Sequence, residues 1–180
     1  MNKKLKPYQL NPTKFLSDEE VAIMFRVLDR RSVHALFVEF MFSTGCRKQE
    51  ALNITRGDLR DHSVHIRTIK NGPDRTLPIM APLWNALMKF FGDFTPDERL
   101  FKFEKSQAHD IWVKYRPRKS AKLHSLRHTF LKNLYESSRN LLLCKYAAGH
   151  SSINSTCIYS VYVDGTEGLK QHISKALKVV

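Results

Sequence analysis

Five side chains stand in an order that suits chemistry on a phosphodiester. Arg47 closes the run Thr44-Gly45-Cys46-Arg47, His124 and Arg127 lie in His124-Ser125-Leu126-Arg127-His128, and Gly149-His150 precedes Tyr159. Breaking a phosphodiester without a metal requires fixed positive charge around the non-bridging oxygens of the transition state. Arginine suits that task, because its planar fork makes paired bonds to phosphate oxygens and keeps its proton. His124 and Arg127, three residues apart, project from one face if their segment is helical. Arg47 follows a glycine turn at a helix start, where backbone N–H groups also favour an anion. Tyr159 can attack through its phenolate and leave a phosphotyrosyl ester that conserves the bond for rejoining. The departing sugar 5′-hydroxyl needs a proton donor, which Lys70 could supply from a hairpin tip.

The elements that must hold these groups are mostly helical. Ser17-Asp18-Glu19-Glu20 is a capping box, and Val21, Met24, Phe25 and Leu28 follow at helical spacing, so a helix is expected over 17–29. A more apolar helix is expected over 32–43, with Val33, Leu36, Phe37, Phe40 and Met41 facing a core. Gly45 then reverses the chain into a short helix over 47–53. Residues 63–69 alternate with period two and 75–79 do so more loosely. Between them Lys70-Asn71-Gly72-Pro73-Asp74 has tight-turn composition, which predicts a small β-hairpin with Lys70 at its tip. Further helices are expected over 81–91, 106–115, 124–137, 140–147, 152–160 and 166–178. The fold class is therefore mainly α with a small antiparallel β-sheet, an α+β domain. Residues 1–14 read as a polar arm, 15–165 as the domain, and 166–180 as a terminal helix or tail.

Composition narrows the partners. The 180 residues carry 30 Lys and Arg against 17 Asp and Glu, a formal charge of +13 and a pI near 9.8. An excess of this size points to a polyanion, because each phosphate neutralised releases condensed counterions. Membrane-surface binding is disfavoured, since no segment pairs a basic face with a Trp- and Leu-rich one. Three cysteines without Cys-x-x-Cys spacing suit a reducing compartment, and neither a signal peptide nor a spanning run is present. These features point to a cytoplasmic, nucleoid-associated protein. His124 and His128 have the i,i+4 spacing of some zinc sites but lack the intervening Glu, and Arg127 between them would repel a cation. No metal and no cofactor are expected.

The motifs resemble those of the tyrosine recombinase (phage integrase) family. Thr44 to Leu52 looks like its first-arginine box and His124-Ser125-Leu126-Arg127-His128 like its His-x-x-Arg box. Gly149 to Thr156 with Tyr159 looks like its third box, and Lys70-Asn71-Gly72 ahead of Arg75-Thr76-Leu77-Pro78 like its catalytic-lysine hairpin. The likeness covers most of residues 14–163. It implies a recombinase catalytic-domain fold and a site-specific enzyme that cuts and rejoins double-stranded DNA through a 3′-phosphotyrosyl intermediate, without metal or ATP. It implies Tyr159 as nucleophile, Arg47 and Arg127 as the phosphate clamp, and Lys70 as general acid. It further implies His124 in proton handling as a base, His150 on a non-bridging oxygen, and Glu50 orienting one of these groups. A homotetramer on two duplexes, docked through the 166–178 helix, and accessory DNA-bending proteins are implied in turn.

The resemblance has departures. The N-terminal core-binding domain of most members is not found in these 180 residues, and the chain resembles in plan compact members such as the fimbrial phase-switch recombinases. Cys46, Lys48-Gln49 and Ala148 also differ from common usage. Alternative readings are a non-catalytic DNA-binding accessory factor or mobile-element relic, and a type IB topoisomerase-like nicking-closing enzyme. Tyr162 is the rival nucleophile. His128 reads as a packing or supporting residue, and Cys144 and Cys157 as buried small apolar residues.

Overall fold

Helix α2 (Val33–Thr44) is the element around which the others assemble. Ala35 to Met41 are all buried, so the helix is enclosed on every side rather than along one stripe, with Glu39 as its one charged buried residue, paired with Arg30. The structure is a computed structural model that describes residues 12–69 and 71–163. Lys70, the first eleven residues and the expected 166–178 helix lie outside the described residues. Helices α1 (Asp18–Val27), α3 (Lys48–Asn53), α4 (Ala81–Phe91), α5 (Lys105–Tyr115), α6 (His124–Ser138) and α7 (Leu141–Ala148) surround α2 and a small sheet. A further helix, α8, runs over 154–163. The α+β class expected from sequence is the one observed.

Local chemistry accounts for the helix ends. Ser17 Oγ accepts from Glu20 N at 3.2 Å while Glu20 Oε2 accepts from Ser17 N at 2.9 Å, the reciprocal cap that starts α1. Gly45 ends α2 at φ 59°, a left-handed conformation that glycine adopts without a Cβ penalty. A Cβ there would also run into the Phe130 ring. Asn140 Oδ1 caps α7 by accepting from Leu142 N and Leu143 N at 3.0 and 3.1 Å. Of residues 1–14 only Pro12–Lys14 are described, as a 3₁₀ turn, and Phe15 and Leu16 after them are buried. Arg118 fixes this stretch, donating to Thr13 O and Phe15 O and pairing with Glu20.

The sheet contains the expected hairpin and adds a strand to it. It has three antiparallel strands in the order β1 (Leu59–Arg60), β2 (Ser63–Ile66) and β3 (Arg75–Pro78). Asp61 and His62, at φ 45° and 55°, form the tight connection from β1 to β2. Two-residue strands are too short for alternation to reveal, so β1 was not legible. Strand β2 stops at Ile66, short of residue 69, because Thr68 N donates to Asp74 Oδ1 at 2.7 Å instead of to the ladder. Val64 pairs with Leu77 and Ile66 with Arg75, and all four side chains face inward.

One core is shared by α2, the sheet, α4 and α5, with the Phe101 ring touching those of Phe37, Phe40 and Phe91 at 5.3–5.8 Å. Trp112 Nε1 donates to Ala121 O at 2.8 Å, tying α5 to the loop that enters α6. A second, smaller core of Phe15, Leu131, Tyr135, Cys144, Ala148 and Tyr159 joins α6, α7 and α8. Cys144 is buried as expected, whereas Cys157 is only half-buried. No helix among the described residues is long and apolar enough to cross a membrane.

Candidate active site

Arg47 is the N-cap of α3 rather than a residue within it. Its own N–H donates to Glu50 Oε2 at 2.8 Å and its Nη1 to Glu50 Oε1 at 2.9 Å. One backbone N–H at the start of α3, that of Arg47, is thus taken by an internal carboxylate. Glu50 Oε2 also accepts from Arg75 Nη2 at 2.8 Å, an ion pair with no solvent exposure on either side. Burial pushes the Glu50 carboxyl upward in pKa, but the Arg75 hydrogen bond and the Arg47 contacts outweigh it and hold the group below its ordinary value.

Arg75 joins three elements that carry the site. From β3 it reaches Glu50 on α3, and its Nε donates to Ala147 O at the end of α7 at 2.8 Å. Its Nη1 lies against Gly149 and has no hydrogen-bond partner among the described residues. Sequence reasoning passed over this residue as a site group. The available signal was that Arg75 is in phase with Leu77 on a strand whose other face is exposed, so a charge had to be buried there.

Arg127 is buried and moored to backbone. Its Nη1 donates to Gly45 O and its Nη2 to Ala148 O, each at 2.7 Å, so the two glycine-containing turns converge on one guanidinium. Nη2 also meets His150 Nε2 at 3.0 Å. Arginine has only donors, so His150 Nε2 is the acceptor, and in the neutral ring Nδ1–H donates to Thr156 Oγ1 at 2.9 Å. Donation from Nε2 to a phosphate oxygen would therefore require this ring to gain a proton or turn. Burial and then the Arg127, Arg47 and Arg75 charges push His150 down to about 4. Burial and the Arg47 charge likewise lower Arg127 to about 10, still protonated at neutral pH.

Tyr159 lies on α8 with 2% exposure, and its hydroxyl is 3.0 Å from His128 Nδ1. Tyr162, the rival, packs its ring on Phe15 with centroids 4.5 Å apart and does not line the cleft. His124 opens α6, its ring edge-on to His128 at 4.5 Å. Crowding by protein atoms and the Arg127 and Arg47 charges push His124 down to about 4, although its exposed position lets water soften that shift.

Arg47, His124, Arg127, His150 and Tyr159 line one cleft of about 630 Å³, together with His128, Asn154, Ser155 and Ile158. Five of the residues nominated from sequence are therefore brought together, with Glu50 behind Arg47. Lys70 lies outside the described residues, but its near neighbour Gly72 packs against the Gly149 carbonyl, directly before His150. His128 is the cleft residue whose contact sequence reasoning missed; helical spacing put it beside His124 without showing what it faces. No group of three or more His, Cys, Asp or Glu that could hold a metal ion occurs among the described residues.

The model of the phage integrase family matches residues 14–163. The chain belongs to the phage integrase family. Among curated relatives, it is 27% identical over 162 residues to the tyrosine recombinase XerA of Pyrococcus furiosus, covering 82% of this chain and 57% of that protein. It is 28% identical over 145 residues to the integrase of Haemophilus phage HP1, covering 79% and 40%. This phage integrase family chain thus spans about half the length of such relatives. Among solved structures, the XerA recombinase superposes with a TM-score of 0.70 at 21% identity, covering 97% of this chain and 67% of that one. The catalytic domain of bacteriophage HP1 integrase superposes at 0.66 and 24%, covering 87% and 93%. These likenesses establish a tyrosine recombinase catalytic-domain fold.

Proposed function

We propose that residues 15–165 form the catalytic domain of a site-specific DNA recombinase that cuts and rejoins strands through Tyr159. The observation that carries this reading is the single cleft in which Arg47, Arg127, His124, His150 and Tyr159 meet. Two guanidinium groups, one half-buried and one buried, supply fixed positive charge for the equatorial oxygens of a phosphodiester. Tyr159 Oη attacks phosphorus, the P–O bond to the sugar 5′ oxygen breaks, and a 3′-phosphotyrosyl ester remains. His124, exposed at the cleft mouth where water stabilises an imidazolium, takes up the phenol proton as the phosphate brings negative charge into the cleft, and Lys70 protonates the departing oxygen. Lys70 is assigned on the motif and on the packing of Gly72 beside Gly149. One phosphoester is made for each one broken, so the balance requires no nucleotide hydrolysis. Reversal by a 5′-hydroxyl from a second duplex exchanges strands, which calls for a homotetramer on two sites.

Covalent capture on nicked suicide duplexes, drawn from DNA flanking the gene, tests this reading. Wild type should give a detergent-resistant, protease-sensitive adduct, and Tyr159→Phe should give none while retaining salt-dependent DNA binding. An adduct that survives Tyr159→Phe, or binding lost in step with the adduct, overturns the assignment of the nucleophile.

A further inference from the structure

The contact between His128 and Tyr159 is built rather than incidental. Both residues are buried, at 7% and 2% exposure, and Nδ1 and Oη are 3.0 Å apart. His128 sits on α6 directly after Arg127, and Tyr159 sits on α8, so this hydrogen bond fixes the tyrosine relative to a neighbour of the guanidinium in the same cleft. The His128 ring is held on two sides, edge-on to His124 at 4.5 Å and to Phe15 at 6.2 Å. A ring confined in this way presents Nδ1 in one direction.

We propose that His128 is a positioning residue for the reaction, its Nδ1 accepting the Tyr159 hydroxyl hydrogen and thereby aiming the oxygen lone pairs into the cleft. This rests on the reading of Tyr159 as nucleophile. The direction of the bond follows from charge. The cleft holds Arg47 and Arg127, and Arg127 and Tyr159 interact electrostatically. A hydroxyl hydrogen pointing at those cations is repelled, while lone pairs pointing at them are attracted. With its hydrogen on Nδ1, Oη offers its nonbonding electrons to the position a phosphorus atom would take between the arginines.

Orientation, not proton abstraction, is the role that fits. Burial, then the His124, Arg127, Lys14 and His150 charges, push His128 down to about 3. Burial on every side disfavours an imidazolium here, so the ring is suited to accepting a hydrogen bond and not to taking the proton. The same surroundings keep the ring neutral, the form in which Nδ1 can accept from the Tyr159 hydroxyl. The phenol proton leaves by another route, and His128 holds the oxygen until it does.

The experiment pairs two substitutions and one spectrum. Single-turnover cleavage of a suicide duplex is measured at saturating enzyme for wild type, His128→Leu and His128→Asn, with thermal melting and DNA binding on each. A leucine fills the space but cannot accept, and the misoriented nucleophile should slow cleavage by about 100-fold with binding unchanged. Asparagine carries an acceptor oxygen close to where Nδ1 lies and should recover cleavage to within about tenfold of wild type. Ring ¹⁵N spectra of His128 need no activity: Nδ1 should be unprotonated in wild type and shift in Tyr159→Phe. Cleavage unaffected in His128→Leu, equal loss in both folded variants, or a protonated Nδ1 overturns the proposal and leaves the recombinase reading standing. Failure of wild type to form any adduct overturns both.

Discussion

Replacing Glu50 by glutamine tests whether one carboxylate holds the arginine framework. Its oxygens accept from Arg47 N, Arg47 Nη1 and Arg75 Nη2 at 2.8–2.9 Å. Glutamine offers one acceptor and one donor, so its amide NH₂ must face an arginine N–H in either orientation. The larger consequence falls on Arg75, whose side chain is 0% exposed and whose other bond goes to a neutral carbonyl. Leaving a buried charge without its partner costs about 3–5 kcal/mol. For a domain of this size Tm moves about 2–4 °C per kcal/mol, so a fall of roughly 6–20 °C is expected near neutral pH. Proton linkage sharpens the test. The Glu50 pKa is lowered in the folded state, so its contribution is present above the ordinary carboxylate value and is lost as pH falls through the folded one. The Tm gap between wild type and Glu50→Gln should therefore be widest near neutrality and narrow as pH falls below the ordinary carboxylate range. Melting followed by circular dichroism across that range measures it. A gap under about 2 °C at neutral pH would refute the reasoning. A gap that persisted unchanged into acid would mean that shape, not charge, sets the cost.

Gly149→Ala should be strongly destabilising, because φ is +62° there and a Cβ would lie 2.5 Å from Arg75 Nη1. The left-handed conformation alone costs about 1–2 kcal/mol, and a Tm within error of wild type would show that Arg75 yields easily. Stability should also fall on acidification below the ordinary histidine value, since His128 and His150 are lowered to about 3 and about 4 in the folded state. The unfolded chain binds those protons first, so unfolding free energy should drop by about 1–2 kcal/mol per unit below about pH 6.5. Urea titrations at stepped pH would reveal it, and a flat profile down to about pH 5 would sink the assignment of neutral, buried rings.

Features governed by neighbours in sequence were legible. The Ser17 and Glu20 cap, the glycine stop at Gly45 and the alternation through Val64 and Ile66 each express a local bond or backbone preference. The order of Arg47, His124, Arg127, His150 and Tyr159 was legible as a set because spacing within each motif is itself local. What escaped depends on partners far along the chain. Arg127 finds its acceptors at Gly45 and Ala148, Arg75 finds Glu50, and His128 finds Tyr159, none of which a periodicity can show. Cys157, expected buried and found half-buried, likewise depends on tertiary packing that the sequence does not display.

The way each arginine is held bears on how the cleft would treat an incoming phosphodiester. Among the described residues, Arg47 and Arg75 pair with one carboxylate, Glu50, and Arg127 with none, so these four groups keep an excess of two positive charges. The nearby histidines do not change that balance, being lowered toward the neutral form. Glu50 neutralises one charge and orients Arg47, while Arg127 is oriented by two carbonyls that carry no net charge. Carbonyl moorings give direction without cancelling the field, whereas a second carboxylate would have competed with phosphate for the same guanidinium. The cost is visible in Arg127 itself, lowered to about 10 by burial and by repulsion from Arg47. That repulsion is relieved only when negative charge enters the cleft, and most fully when two negative charges develop there, as they do on the oxygens of a pentavalent phosphorus. On the function proposed above, the unfavourable clustering of cations is then the form in which transition-state binding is stored before DNA arrives.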